Sequence, residues 1–155
     1  MGIAKLEGRH RADVLGMLER TIEFRPEEVV VAAEVLDASL SGDGSYRARV
    51  AEDERGAAIG WACFGRTPLT AWTFDLYWLV VDPSARRVKL GRALVDEVVR
   101  SVRAEGGRVM RVETSSKHGG DVTHAFYTHL GFAQSGRVAE FYGPGDDLVI
   151  YALAL

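Results

Sequence analysis

The stretch from Trp72 to Val102 restricts the fold most, because two different periodicities meet there with no linker between them. Trp72 to Asp82 is rich in aromatic and β-branched residues, the types that pack well on a pleated surface, and reads as a long strand. From Leu90 the apolar positions are Leu90, Leu94, Val98 and Val102, the four-residue spacing of one helix face, with Gly106-Gly107 as the stop. A strand therefore turns directly into a helix through Asp82-Pro83-Ser84-Ala85-Arg86-Arg87-Val88-Lys89. The start of such a helix carries unpaired backbone N–H groups and a partial positive charge, which suits an anion and above all a pyrophosphate. Arg86, Arg87, Lys89 and Arg92 cluster beside it and add charge-assisted donors. Taken alone, the same residues also fit an ordinary solvated turn.

The rest of the chain reads as alternating short elements. Ile3 to Leu6 is a short strand, and His10 to Arg20 carries Val14, Leu15 and Leu18 at helical spacing. Pro26, Glu27 and Glu28 open a second helix that runs through Val35 and Leu36 and is stopped by Ser41-Gly42-Asp43-Gly44-Ser45. Strands near Tyr46 to Glu52 and Ala58 to Gly65 flank a turn at Asp53 to Gly56 and form a hairpin. After the Trp72 strand and its helix come a buried strand at Val109 to Glu113 and a helix from Val122 to Leu130, ended by Gly131. Strands near Phe132 to Tyr142 and Leu148 to Leu155 close the chain around Gly143-Pro144-Gly145-Asp146. The order is β-α-α-β-β-β-α-β-α-β-β, with no repeat and no interdomain linker. With 155 residues, one domain is expected.

Charge narrows the partners. The net charge is −3 and, apart from the Arg86 to Arg92 cluster, the cations are spread along the chain. A nucleic-acid binder should be basic overall or along a whole face, so none is expected, and the cluster looks like a site for one small anion. The sole cysteine, Cys63, lies in the apolar run Ile59 to Phe64 and reads as a core thiol in a reducing compartment. The N-terminus lacks an apolar signal region and no segment reaches 18 apolar residues, so a cytoplasmic protein without membrane attachment is expected.

Val81-Asp82-Pro83, followed by Arg86, Lys89, Gly91, Arg92 and Ala93, resembles the acetyl-CoA loop of the GNAT superfamily of N-acetyltransferases, whose pattern is Gln/Arg-x-x-Gly-x-Gly/Ala. Ala125-Phe126-Tyr127-Thr128-His129-Leu130-Gly131-Phe132 is similar to the same family's later Phe-Tyr-x-x-x-Gly-Phe. The inferred element order matches that family across nearly the whole chain. The resemblance implies an α/β (α+β) fold, with a mixed, mostly antiparallel central sheet flanked by helices. Two positions depart from the pattern. Its first glycine is Lys89 here, which brings a Cβ and a cation that either holds phosphate or obstructs it. The asparagine often found at the start of the later helix is replaced by Gly119-Gly120-Asp121, which puts one contact to the pantetheine arm in doubt.

The resemblance also assigns roles. Leu79, Val80 and Val81 would lie along the pantetheine arm of acetyl-CoA, which adds to the sheet like an extra strand. Arg86, Arg87, Val88, Lys89, Leu90, Gly91, Arg92 and Ala93 would surround the pyrophosphate. Phe126 and Tyr127 would face the cofactor, with the Tyr127 hydroxyl near the thioester sulfur. Asp75 resembles the acid used by the histone-acetylating branch, and Asp75, Tyr77 and Glu113 would meet the acceptor. No metal is implied.

Attack by an amine on a thioester needs a neutral nitrogen, a donor for the oxyanion and help for the departing thiolate. A phenol of pKa about 10 handing its proton fully to a thiolate of about 8.5 is uphill by about 2 kcal/mol, so hydrogen bonding matters more than transfer. A free aspartate near 3.9 faces an alkylammonium near 10, about six units away, so Asp75 needs burial, a water chain or a purely binding role. Glu113 is the other base candidate, and His118 and His129 read as surface histidines. The acceptor is a small-molecule or protein amine, cationic and partly apolar, and the exposed edges of a small splayed sheet suggest a homodimer. A non-catalytic acyl-CoA sensor is the competing reading.

Overall fold

The structure, a computed structural model, describes residues 2–155 apart from the side chains of residues 86–88. The strands are β1 (Gly2–Lys5), β2 (Arg47–Glu52), β3 (Ala58–Arg66), β4 (Thr73–Val81), β5 (Val109–Ser115), β6 (Ala133–Gly143) and β7 (Asp146–Ala154). The helices are α1 (Arg11–Arg20), α2 (Pro26–Ser41), α3 (Leu90–Ala104) and α4 (Gly120–His129), with 3-10 turns at Gly8–His10 and Pro83–Val88. Strands and helices follow the expected order. The sheet order is β1-β2-β3-β4-β5-β7-β6, and every neighbouring pair is antiparallel except β4 with β5. A parallel pair needs a long crossover, and α3 supplies it.

Both faces of the sheet are covered, which explains why β3 is buried at nearly every position instead of alternating. On one face α3 lays Leu90, Leu94, Val95, Val98 and Val102 against Phe64, Phe74, Leu76, Met110 and Val112. On the other, Val14, Met17 and Leu18 of α1 and Ala32 and Leu36 of α2 pack on Val50, Trp61, Cys63 and Val80. Burial pushes the Cys63 thiol up to about 12, so it stays protonated and behaves as a small apolar residue. No helix among the described residues is long and apolar enough to cross a membrane.

Most element boundaries fall within one or two residues of the sequence reading. Helix α2 ends at Ser41, in the stretch expected to stop it, where Gly42 takes a left-handed conformation at φ 79°. Strand β5 gains Thr114 and Ser115 because they pair with Val149 and Leu148 of β7. The turn Gly8–His10 was not read as an element. It is closed by His10, which is fully buried, accepts the Glu7 backbone N–H at 3.0 Å on Nδ1 and meets Glu52 at 2.7 Å through Nε2.

Candidate active site

Strand β4 builds the site by parting from β5. The two strands pair only over Thr73–Leu76 and Val109–Val112. The next residue, Tyr77, is extra: Leu76 opposes Phe64 and Trp78 opposes Cys63, so Tyr77 sits in a β-bulge. The bulge also reverses which backbone groups face β5. Asp82 donates its N–H to the Ile59 carbonyl at 2.9 Å, which makes Asp82 and Ile59 a hydrogen-bonded antiparallel pair. By alternation Val80 and Trp78 also bond to β3. Leu79 and Val81 direct their N–H and C=O groups to the opposite side, where β5 has moved away.

At the lower end of this opening, where the strands are about to part, Asp75 is tied to its β5 neighbour. Its Oδ1 accepts from Arg111 Nε at 2.8 Å and its Oδ2 from the Thr67 hydroxyl at 2.7 Å, and the side chain is buried. Arg111 also reaches Glu113 at 3.3 Å. Phe74, Leu76, Met110 and Val112 face α3, so Asp75, Arg111 and Glu113 fall on the other face, the side of α1 and α2. Tyr77 packs edge-on against Tyr46 at 5.2 Å. Its phenol is shifted up, first by burial and then by the Asp75 charge. Tyr142 is also shifted up, first by burial and then by the charges of Glu113, Asp146 and Glu28, with Arg25 opposing. The tip of the β6–β7 hairpin and the start of α2 thus meet β5 in acidic, aromatic surroundings.

The strand-to-helix junction forms the upper end. Asp82 caps the Pro83–Val88 turn by accepting from the Ser84 N–H at 2.9 Å and the Ser84 hydroxyl at 2.6 Å, and it pairs with Arg20 at the end of α1. An open cleft of about 550 Å³ is lined there by Arg20, Asp82, Pro83 and Ser84. Helix α3 then begins at Leu90, with its first backbone bond from the Ala93 N–H to the Lys89 carbonyl at 3.2 Å. Its first turn has neither an acidic residue nor a side-chain cap. Lys89 lies at φ 56°, ψ 33°, the left-handed conformation that glycine enters without cost, and its side chain is exposed. The backbone is therefore bent as a glycine would bend it. The contacts expected of the Arg86, Arg87 and Val88 side chains lie outside the described residues.

Helix α4 closes over α3. A Cβ built on Gly91 would stand 3.3 Å from the Phe126 ring and 3.8 Å from Val81 Cγ2, so the start of α3, the end of β4 and α4 converge on that one position. Tyr127 is 6 % exposed and sits among rings: Phe126 at 5.0 Å and Phe132 at 5.3 Å edge-on, Tyr151 stacked at 5.6 Å. Burial first, and Tyr151 second, push its pKa well above the ordinary phenol value. Among the described residues its hydroxyl has no hydrogen-bond partner. Trp61 Nε1 is the one fully sealed side-chain polar atom left unpaired among them, so the Tyr127 oxygen keeps a trace of exposure.

The structure thus brings Val81, Gly91 and Phe126 together beside the outward-facing Leu79 backbone, packs Tyr127 next to Phe126, and puts Asp75, Tyr77 and Glu113 on the α1–α2 side of the same strands. It adds residues the sequence reading passed over. Arg111 and Thr67 hold Asp75, and of these only Arg111 left a signal, as a lone cation between apolar Met110 and Val112 on a buried strand. Tyr46 and Tyr142 left none. Among the described residues no cluster of His, Cys, Asp and Glu side chains has the geometry to hold a metal ion.

Residues 44–134 match the family model described as an acetyltransferase (GNAT) domain. A crystal structure of a GNAT-family protein from Desulfovibrio desulfuricans superposes with a TM-score of 0.91 at 37% identity, over 99% of this chain and 98% of that one. Aminoglycoside 6'-N-acetyltransferase complexed with coenzyme A superposes at 0.79 with 17% identity, over 99% and 97% of the two chains. Ribosomal-protein-alanine N-acetyltransferase from Brucella melitensis gives 0.79 at 21% identity over the full length of both. These last two share the fold. No curated protein matches the sequence. Family model and structural likeness agree with the loop, the later helix and the splayed sheet: the chain belongs to the GNAT family of acetyltransferases.

Proposed function

We propose that the protein transfers the acetyl group of acetyl-CoA to a primary amine that is cationic in solution. The observation that carries this reading is the opening between β4 and β5, bordered by outward-facing Leu79 backbone and by the uncapped start of α3. An extended pantetheine arm completes the ladder that β5 abandons, and the pyrophosphate lies against the first turn of α3. The amine nitrogen attacks the thioester carbonyl carbon, a C–N bond forms, and the C–S bond breaks as the nitrogen gives up its proton. A β4 backbone N–H in the opening, such as that of Leu79, stabilises the carbonyl oxygen as it gains charge. Tyr127 donates a hydrogen bond to the leaving sulfur, and because its pKa is raised it shares its proton instead of losing it.

Asp75 has both oxygens engaged, so in this reading it positions instead of abstracting. With Arg111 it ties β4 to β5 beside the point where they part. Glu113, exposed and held among the described residues by the longer contact to Arg111, is left with water to take the ammonium proton. Glu113, Glu28 and Asp146 favour a positively charged acceptor, and Tyr46, Tyr77 and Tyr142 give it apolar contact. Thiol release from acetyl-CoA over a panel of polyamines, aminoglycosides, amino acids and N-terminal peptides, with products identified by mass spectrometry, tests the proposal. Release with at least one cationic amine is expected. Binding of acetyl-CoA without release across the whole panel overturns transfer in favour of a binding module.

Lys89 offers a separate check. Since its backbone already has the glycine conformation, Lys89→Gly removes a charge while the turn keeps its shape. The strain relieved and the flexibility gained are each about 1 kcal/mol and of opposite sign, so stability should change little. Affinity for acetyl-CoA should drop a few-fold and depend less on salt, read by calorimetry at two ionic strengths. An unchanged or tighter affinity would show that the cation does not help to hold phosphate.

A further inference from the structure

The orientation of the Tyr127 hydroxyl cannot come from a hydrogen bond of its own, since it makes none among the described residues. It must come from the rings around Tyr127, and one of those rings is anchored. Tyr151, on β7, stacks on Tyr127 with the planes 25° apart, and its hydroxyl lies 2.9 Å from Nδ1 of His124. His124 and Tyr127 both belong to α4, one turn apart, so Tyr151 is gripped by two residues of the same helix. The His124 ring also touches it, with centroids 5.7 Å apart. Sliding or rotating α4 on β7 would break the His124 bond and the Tyr127 stack together. Neither His124 nor Tyr151 belongs to either sequence motif.

We propose that the His124–Tyr151 hydrogen bond is a positioning device for the acetyl-transfer step, fixing α4 on β7 so that the Tyr127 hydroxyl points into the opening between β4 and β5. It rests on the role given above to Tyr127. A rigid aromatic stack sets the plane of the Tyr127 ring, and the single hydrogen bond sets the stack. Misplacement of a catalytic hydroxyl by a fraction of an ångström is felt in the rate and hardly in cofactor binding. His124 and Tyr151 themselves touch no reacting atom.

A mutant cycle tests this. Tyr151→Phe keeps the ring and its stacking and removes only the hydroxyl, and His124→Ala removes the other end of the same bond. Each should lower kcat about three- to tenfold, the scale of one hydrogen bond, with KM for acetyl-CoA within twofold. The double variant should be no slower than the worse single one. In a Tyr127→Phe background, Tyr151→Phe should add less than about 1.5-fold, because there is no hydroxyl left to aim. Equal loss in both backgrounds overturns the proposal and makes the bond general support for the fold. No loss in the native background overturns it as well. Tyr127→Phe alone reports on the underlying reading, so a large loss there with additive effects at Tyr151 leaves that reading standing while the positioning role falls.

Discussion

Turnover by a Tyr127→Phe variant is expected to drop by about 10- to 1,000-fold, the span allowed to a single donor or general acid, while affinity for acetyl-CoA stays within a few-fold. The substitution is close to isosteric. The stack on Tyr151 and the edge-on contacts with Phe126 and Phe132 all involve the ring and survive, so folding should be unchanged. Only the hydroxyl goes, and among the described residues it has no hydrogen-bond partner to lose. Because burial holds its proton tightly, the loss is that of a hydrogen bond to a developing thiolate, and the variant should not acquire a new ionisation in its pH–rate profile. Steady-state kinetics with calorimetry separate rate from binding. Turnover near the starting value would make Tyr127 a packing residue, with the thiolate leaving unaided or helped by water.

Gly91→Leu should weaken acetyl-CoA binding by about 100-fold or more. Even a bare Cβ at this position stands 3.3 Å from the Phe126 ring, and the rest of a leucine must displace either that ring or the cofactor. The helix start is held from below by buried Leu90 and Leu94, so α3 cannot retreat. Overpacking of this kind costs about 1–3 kcal/mol, which a melting curve would reveal as a lowered but still cooperative transition. Gly91→Ala serves as the milder comparison, with a smaller loss of affinity. Unchanged affinity of the leucine variant in calorimetry would remove the pyrophosphate from this loop.

Local signals in the sequence carried most of the fold. Pro26 with its two following acids started α2, the four-residue spacing from Leu90 drew α3, and Gly131 ended α4, each because neighbouring residues alone decide such features. What stayed hidden depends on residues far apart in the chain. The turn at Gly8–His10 exists because His10 finds Glu52, 42 positions away. Asp75 looked like a free carboxylate because Arg111, which neutralises it, lies 36 positions on. The bulge at Tyr77 has no mark of its own, since an extra residue in a strand is defined only against its partner strand. The candidate site was legible to the extent that its motifs are contiguous: the strand-to-helix loop and the Phe126-Tyr127 helix stand out in the sequence, whereas the partners of Asp75 and the rings packed on Tyr127 do not.

The parallel pairing of β4 with β5 covers four residue pairs, whereas β5 with β7 covers seven. Seen mechanically, the sheet is two antiparallel plates, β1 to β4 and β5 to β7, riveted by a short row of bonds, by the Asp75–Arg111 pair and by α3 lying across both. Such a joint is where a protein opens below the cost of global unfolding. A ligand that lies along the missing row binds only the closed arrangement, and it raises the opening free energy by about 2.7 kcal/mol at one hundred times its dissociation constant. Bound as proposed, acetyl-CoA would act as a splint as well as a substrate: amide exchange at Leu76 and Arg111, whose N–H groups face across the joint, is expected to slow while it is bound and to return once the free thiol departs, so the joint would loosen in step with each turnover.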